Sequence, residues 1–247
     1  MYFVRQLYAT ALLYGGPFIF AIVLMFAGPA APSWWGASAL IAAFLTAYGY
    51  NIGSHYAFTH RTFVFPRWVE LALIYISTLS ACASPLSWAV HHNAHHRHVE
   101  TAADPHSPSQ LGWRALFLTS YATDKANLMS VRHLIKDPAQ RFADRNVGFW
   151  SITLSWPFVA AAVFGLNGLV YLWLLPLWYV LAVAVAFVFC HTGKFDVRSK
   201  SRAVNSVLLG LLSLGDGDHL EHHRNMRSCG KKTKFFARLA GGRSTRR

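Results

Sequence analysis

Leu71-Ala72-Leu73-Ile74-Tyr75-Ile76-Ser77-Thr78-Leu79-Ser80-Ala81-Cys82-Ala83-Ser84-Pro85-Leu86-Ser87-Trp88 is apolar enough to pass for a membrane span, and whether it crosses decides the fold. Two residues on comes His91-His92-Asn93-Ala94-His95-His96-Arg97-His98. If it crossed, His55 and His60 before it would face one compartment and His92 to His96 the other. Arg61 and Arg67 on one flank, and Arg97 and Arg114 on the other, favour the same side. Ser77, Thr78, Ser80, Ser84 and Pro85 interrupt its apolar character. A helix lying in the interface is therefore expected.

Elsewhere the chain reads as a multi-pass membrane protein, with 54% apolar and only 13% charged residues among 247. Four stretches are expected to span, about 8–28, 33–53, 149–166 and 168–190. Pro29-Ala30-Ala31-Pro32 joins the first pair and Gly165-Leu166-Asn167-Gly168 the second. Trp34 and Trp35 sit at one hairpin tip, and Tyr171 and Trp173 lie just past the other, as an aromatic belt would. Neither tip carries Lys or Arg, so both are expected outside, with both termini cytoplasmic. Arg5, the apolar run after it and Ala27-Gly28-Pro29-Ala30 mimic a secretory signal, but further spans follow, so a retained first span is expected. The expected fold is all-α and integral to the membrane: one domain over 1–247, four transmembrane helices in two hairpins, and a cytoplasmic helical cap from 54–148 and 191–247. A weakly amphipathic helix is expected at about 113–136. The net charge of +13 reports topology rather than a nucleic-acid partner. Cys82, Cys190 and Cys229 suggest neither a disulfide framework nor a zinc ribbon. The basic tail 224–247, with Lys231-Lys232-Thr233-Lys234-Phe235-Phe236-Ala237-Arg238, suits either an anionic membrane surface or simple solubility.

The cap carries the chemistry. His92, His95 and His96 stand at i, i+3 and i+4, on one face of a helix. His219, His222 and His223 repeat that spacing after Asp218, a candidate helix cap. His55 and His60 end the second span, five apart and about 140° round an α-helix, so they could straddle one site or serve two. His191 ends the fourth span. Nine imidazoles are too many for one ion and about right for two, a dimetal site; spacing alone does not choose among iron, zinc, copper and nickel. Asp104, Asp216, Asp218 and Glu221 are candidates to orient the rings from behind, or else caps and solvated charge. His91, His98, His106 and His133 fall outside the pattern.

HxxxxH, HxxHH and HxxHH in this order, between two membrane hairpins, resemble the membrane fatty-acid desaturases. Trp88-Ala89…His92-x-Ala94-His95-His96…Glu100-Thr101-x-Ala103-Asp104-Pro105-His106 is similar to the acyl-CoA, Δ9 or stearoyl-CoA-type branch. So are Gly215-x-Gly217-x-His219-x-x-His222-His223 and Ser201-Arg202-x-x-Asn205. The resemblance covers about residues 35–224. It implies a di-iron centre, O2 as oxidant, and O2-dependent desaturation of a long-chain fatty acyl group, as a fatty acyl thioester such as acyl-CoA or a lipid. The chain departs from the family at Phe187, where an Asn is usual, at 117–124, which lacks the usual His-x-Gly-Trp, and in its shorter stretch after His223.

Trp88, Ala39 and Ala43 are the candidate substrate contacts. The two alanines lie about 24 and 18 Å before His55 along a helix and share one face, either lining the deep end of an acyl tunnel or packing helix on helix. A lipid hydroxylase could use the same cluster, and a metal transporter with His loops is the non-enzymatic alternative. No haem-binding HPGG or cysteine cluster is present, so an external electron donor of cytochrome b5, ferredoxin or rubredoxin type is expected. A bacterial inner membrane is expected in preference to the endoplasmic reticulum.

Overall fold

The computed structural model describes residues 2–27, 30–80, 83–116 and 125–245, and helix dominates them. Cys82 and the stretch 117–124 lie outside the described residues, as do Gly28 and Pro29 of the first connection. Two stretches are long and apolar enough to cross a membrane, Leu7–Phe26 within α1 (Tyr2–Ala27) and Asn146–His191. The second stretch is two legs rather than one. α9 (Asn146–Leu169) breaks at Gly165, whose φ of 58° and ψ of −142° suit glycine alone. The chain then doubles back, so that Trp156 Nε1 donates to Leu172 O at 2.7 Å. The return leg runs through a π-turn (Val170–Leu174), α10 (Leu175–Ala186) and a 3-10 turn (Phe187–His191).

The return leg is where the apolar helices meet. Leu174, Leu177 and Leu181 cluster with Ala9, Leu12 and Leu13 of α1. Val180, Val183 and Phe187 cluster with Leu45 and Tyr50 of the second helical segment. Phe20, Trp34, Trp35, Phe164 and Tyr171 interlock edge to face at one end of the bundle. At the other end Arg5 donates to Asp144 O at 2.5 Å and to Asn146 Oδ1 at 2.9 Å. Of the aromatic residues read from sequence near the hairpin tips, Trp34, Trp35 and Tyr171 thus sit together, while Trp173 packs with the Leu174 cluster.

α2 (Pro32–Phe44) does not continue as an α-helix. Leu45–Thr59 is π-helical, with His60 N–H donating to His55 O, five residues back. α3 (Arg67–Leu79) runs antiparallel against this wide segment, and Ser77 Oγ donates to Gly49 O at 2.8 Å. Gly49 and Gly53 permit the approach. A Cβ on Gly49 would lie 2.9 Å from Ile76 O, and one on Gly53 would strike Ser77 Oγ. Gly53→Leu is therefore expected to destabilise the chain by about 1–3 kcal/mol. An unchanged melting temperature in detergent would show that the crossing tolerates a side chain.

α3 is short for a span. Its 13 residues reach about 20 Å, against a hydrocarbon core of about 30 Å. The expected helix over 71–88 is in fact two: α3 ends at Leu79, and α4 (Pro85–His98) starts anew, with Ser84 Oγ accepting from Ser87 N–H at 3.2 Å. The expected helix at 113–136 is also divided. α5 (Pro108–Leu111) and a 3-10 turn precede α6 (Lys125–Ser130) and α7 (Arg132–Lys136). α8 (Pro138–Asp144) and the later α11 (Val207–Leu212), α12 (His219–Arg224) and α13 (Lys231–Leu239) complete the cap. β1 (Phe63–Val64) pairs antiparallel with β2 (Arg243–Ser244). Ile52, Tyr56, Phe63, Phe65, Leu73, Leu86, Val90 and Leu134 form one apolar core, each large aliphatic side chain contributing about 1.5–3 kcal/mol by leaving water.

Candidate metal centre

All nine histidines converge, in two groups. His55, His60, His92, His96 and His222 place one ring nitrogen each within 4.8 Å of one another, and so do His95, His191 and His223. His219 joins the second group, with its Nε2 3.0 Å from His191 Nε2. The helix period explains the partition within α4. His92 and His96 lie about 40° apart, while His95 lies about 100° from His96 and points to the other group. α12 mirrors this, sending His222 to the five-membered group and His219 and His223 to the four-membered one.

His55 and His60 join one group, which α-helical geometry would not deliver. In an i→i+5 helix, residues five apart lie nearly one above the other, and the two rings sit 4.9 Å apart. The sequence spacing was legible; the π-turn was not.

The rings are held from behind. Asp104 Oδ1 meets His95 Nδ1 at 2.8 Å, and Asp216 Oδ2 lies 3.0 Å from His55 Nδ1. Tyr56 Oη donates to the same Asp216 carboxylate at 2.6 Å, and Ser228 O faces His222 Nδ1 at 3.3 Å. Glu100, which the motif contained but sequence reasoning left without a role, faces His191 Nδ1 at 3.2 Å. Ser107 and Ser109 hydroxyls and the Arg202 backbone N–H also donate to its carboxylate. Glu100 is held at a φ of 60°, in the left-handed region, by its N–H to Asp104 Oδ2 at 2.8 Å. Burial works against the Glu100 charge, yet these donors bring its pKa down to about 2. Asp104 is likewise opposed by burial and drawn below the ordinary carboxylate range by His95 and two backbone N–H groups.

Two acidic residues behave otherwise than expected. The Glu221 carboxylate faces away from the cluster and pairs with Arg224 at 2.7 Å, because its position on α12 is exposed. Glu221→Gln is therefore expected to leave metal content and activity within about twofold of wild type, well short of the 10–100-fold cost of losing a group that orients a ligand. A larger loss of bound metal would restore Glu221 to the site. Asp218 precedes α12 without a side-chain cap; Asn205 Oδ1 accepts the Leu220 N–H at 2.9 Å instead.

The substrate candidates divide. Trp88 stacks on His92 at 4.4 Å and meets His55 edge-on at 5.5 Å, forming a wall of the five-histidine group. Ala39 is exposed and Ala43 half-buried, whereas Ser38 and Ala42 turn inward. The π-segment between them and His55 changes both phase and rise, so the α-helical count back from His55 fails. Phe187 is buried, with its ring 5.4 Å from that of His219. His106 lies beside His95, and His133 Nε2 faces Phe58 O. Cys190 and Cys229 are buried and free.

The donor set fits metal ions. Where Nδ1 gives its proton to a carboxylate or carbonyl, Nε2 is left with a lone pair. By that assignment His55 Nε2 and His222 Nε2 are both acceptors, yet they face each other at 3.0 Å. His60 Nε2 and His223 Nε2 are buried with no hydrogen-bond partner among the described residues. Protons do not relieve this crowding. Burial first, then neighbouring imidazoles, pushes His60, His92, His96 and His223 well below the usual histidine range, and His222 down to about 3.

Comparison with known proteins agrees with the site. The family model described as fatty acid desaturase matches residues 32–228. The chain is 29% identical over 194 residues to an sn-1 stearoyl-lipid 9-desaturase of Anabaena variabilis, covering 71% of this chain and 65% of that one. A probable chloroplastic lipid desaturase of Arabidopsis thaliana is 29% identical over 182 residues, 70% of this chain and 49% of its own. An acyl-CoA C20 Δ5-desaturase of Anemone leveillei is 26% identical over 214 residues, 81% and 67% respectively. The chain thus spans about half to two thirds of the length of these relatives.

Proposed function

Because the chain belongs to the fatty acid desaturase family, we propose that it introduces a double bond into a long-chain fatty acyl group, of Δ9 type, with two irons held by its nine clustered histidines. The observation that supports this reading most directly is the pairing of acceptor nitrogens, His55 Nε2 against His222 Nε2 at 3.0 Å, which a cation between or beside them would relieve. His55, His60, His92, His96 and His222 would hold one ion, and His95, His191, His219 and His223 the other. Two irons bound there would supply the oxidising power that an unactivated methylene demands, with O2 as oxidant. The overall balance is –CH2–CH2– plus O2, two electrons and two protons giving –CH=CH– and two waters. The two electrons would be delivered by a carrier of cytochrome b5, ferredoxin or rubredoxin type.

The chain's own residues position the rest. Asp216, Asp104 and Glu100 keep their imidazoles in the tautomer that turns Nε2 inward. Trp88 and Phe187 exclude water from the two ends of the cluster with hydrocarbon, which suits an apolar substrate. We read the apolar helices as four spans in two hairpins, with the cluster on the cytoplasmic side. On that reading the inward face of α2 bounds the acyl chain. Ala42→Trp is expected to shift product toward shorter chains, while Ala39→Trp on the outward face leaves the profile unchanged. The reverse result would move the tunnel to the other face.

Lipid analysis of cells expressing the chain tests the proposal. A new monounsaturated acyl species, with about two irons per purified chain, is expected. Hydroxylated acyl chains would make it a hydroxylase; metal uptake without a lipid product would make it a transporter.

A further inference from the structure

The family match ends at residue 228, and α13 begins just beyond it. Residues 222–247 hold nine Arg and Lys and no Asp or Glu. Several contacts fix α13 to the body of the chain. Thr233 and Ala237 are buried, β2 pairs with β1, and Thr245 Oγ1 donates to Arg61 O at 3.0 Å. This fixed helix nevertheless leaves Phe235 58% and Leu239 64% exposed. By the helix period these two lie on one flank of the buried stripe, with Phe236 between and the exposed Lys232 beside Leu239, its long stem able to lift the ammonium toward the headgroups. Lys231, Lys234 and Arg238, all exposed, lie on the other. A chain of rings connects the apolar flank to the exterior of the bundle. Phe236 lies 5.5 Å from Phe235 and 6.1 Å from Tyr48, and Tyr48 lies 5.1 Å from the exposed Phe44 of α2.

We propose that α13 is a docking element for anionic phospholipid, with Phe235 and Leu239 entering the acyl layer while Lys231, Lys234 and Arg238 bind headgroup phosphates. The ring series places the apolar flank in line with the outward side of α2, where lipid tails are available. Among the described residues Lys231, Lys234 and Arg238 make no ion pair, which leaves the basic flank to anions from outside the chain. The inference rests on the bilayer reading above and is independent of the catalytic one.

Hydrogen–deuterium exchange on the full chain, in discs of phosphatidylcholine alone and mixed with phosphatidylglycerol, tests it. Amides of 231–242 are expected to exchange about tenfold more slowly in the mixed discs. The triple variant K231E/K234E/R238E is expected to lose that slowing while α1 stays protected. Equal exchange in both discs, with α1 protected, would overturn the proposal alone. Slowing by inorganic phosphate in phosphatidylcholine discs would also overturn it, by reassigning the site to a soluble anion. An unprotected α1 would remove the bilayer reading and the proposal together.

Discussion

His95→Ala is expected to abolish double-bond formation and to lower bound iron from about two to about one per chain. His95 belongs with His191, His219 and His223 around the smaller histidine group, and its Nδ1 is fixed by a buried carboxylate. Removing it leaves three imidazoles and a cavity floored by Asp104, whose buried charge then keeps only the backbone N–H groups of Glu100 and His106. Loss of a group that merely orients a ligand costs about 10–100-fold in metal affinity, so loss of the ligand itself exceeds that. Elemental analysis and product analysis on one preparation check both parts. His98→Ala, outside either group, is the matched control and should retain both. Full activity in His95→Ala would falsify the assignment of the cluster as the reacting centre.

The second large effect separates the two groups by their supporting carboxylates. Glu100→Gln is expected to weaken the four-histidine group by about 10–100-fold, and Asp216→Asn the five-histidine group by a similar factor. The Glu100 carboxylate accepts from Ser107, Ser109 and Arg202, and faces His191, so its amide replacement breaks several contacts at once. A chelator titration should strip one iron first in Glu100→Gln and the other first in Asp216→Asn, distinguishable by spectroscopy. Identical stripping curves would show that neither carboxylate is specific to its group. Acidity does not mimic Glu100→Gln. With its pKa held near 2, below the ordinary 4.5, Glu100 contributes its full share above about pH 4.5 and loses it only as pH falls through about 2.

What the sequence carried was spacing, and spacing was enough wherever the backbone is α-helical. The two HxxHH boxes fall on α4 and α12, and Asp104 and Asp216 stand behind ring nitrogens. It was not enough where local geometry departs from that period. The π-segment Leu45–Thr59 pulled His55 and His60 together and turned Ala39 outward, and no residue pattern announces i→i+5 bonding. Glu100 was hidden for a related reason. Its reach to His191 crosses 91 positions and depends on a left-handed backbone that sequence does not declare. Glu221 misled because it adjoins His222 in sequence, yet one residue is about 100° of helix, which puts it on the solvent side.

The way α4 and α12 each divide their histidines has a thermodynamic consequence. Each helix donates to both groups, so ordering either helix around one ion prepares the geometry needed by the other. Occupancy of the two positions is then linked, with a coupling free energy of about 1–3 kcal/mol. By reciprocity each ion raises the affinity for its neighbour by the same factor. Iron titration of the stripped wild-type protein should show half-filled chains scarcer than independent binding predicts.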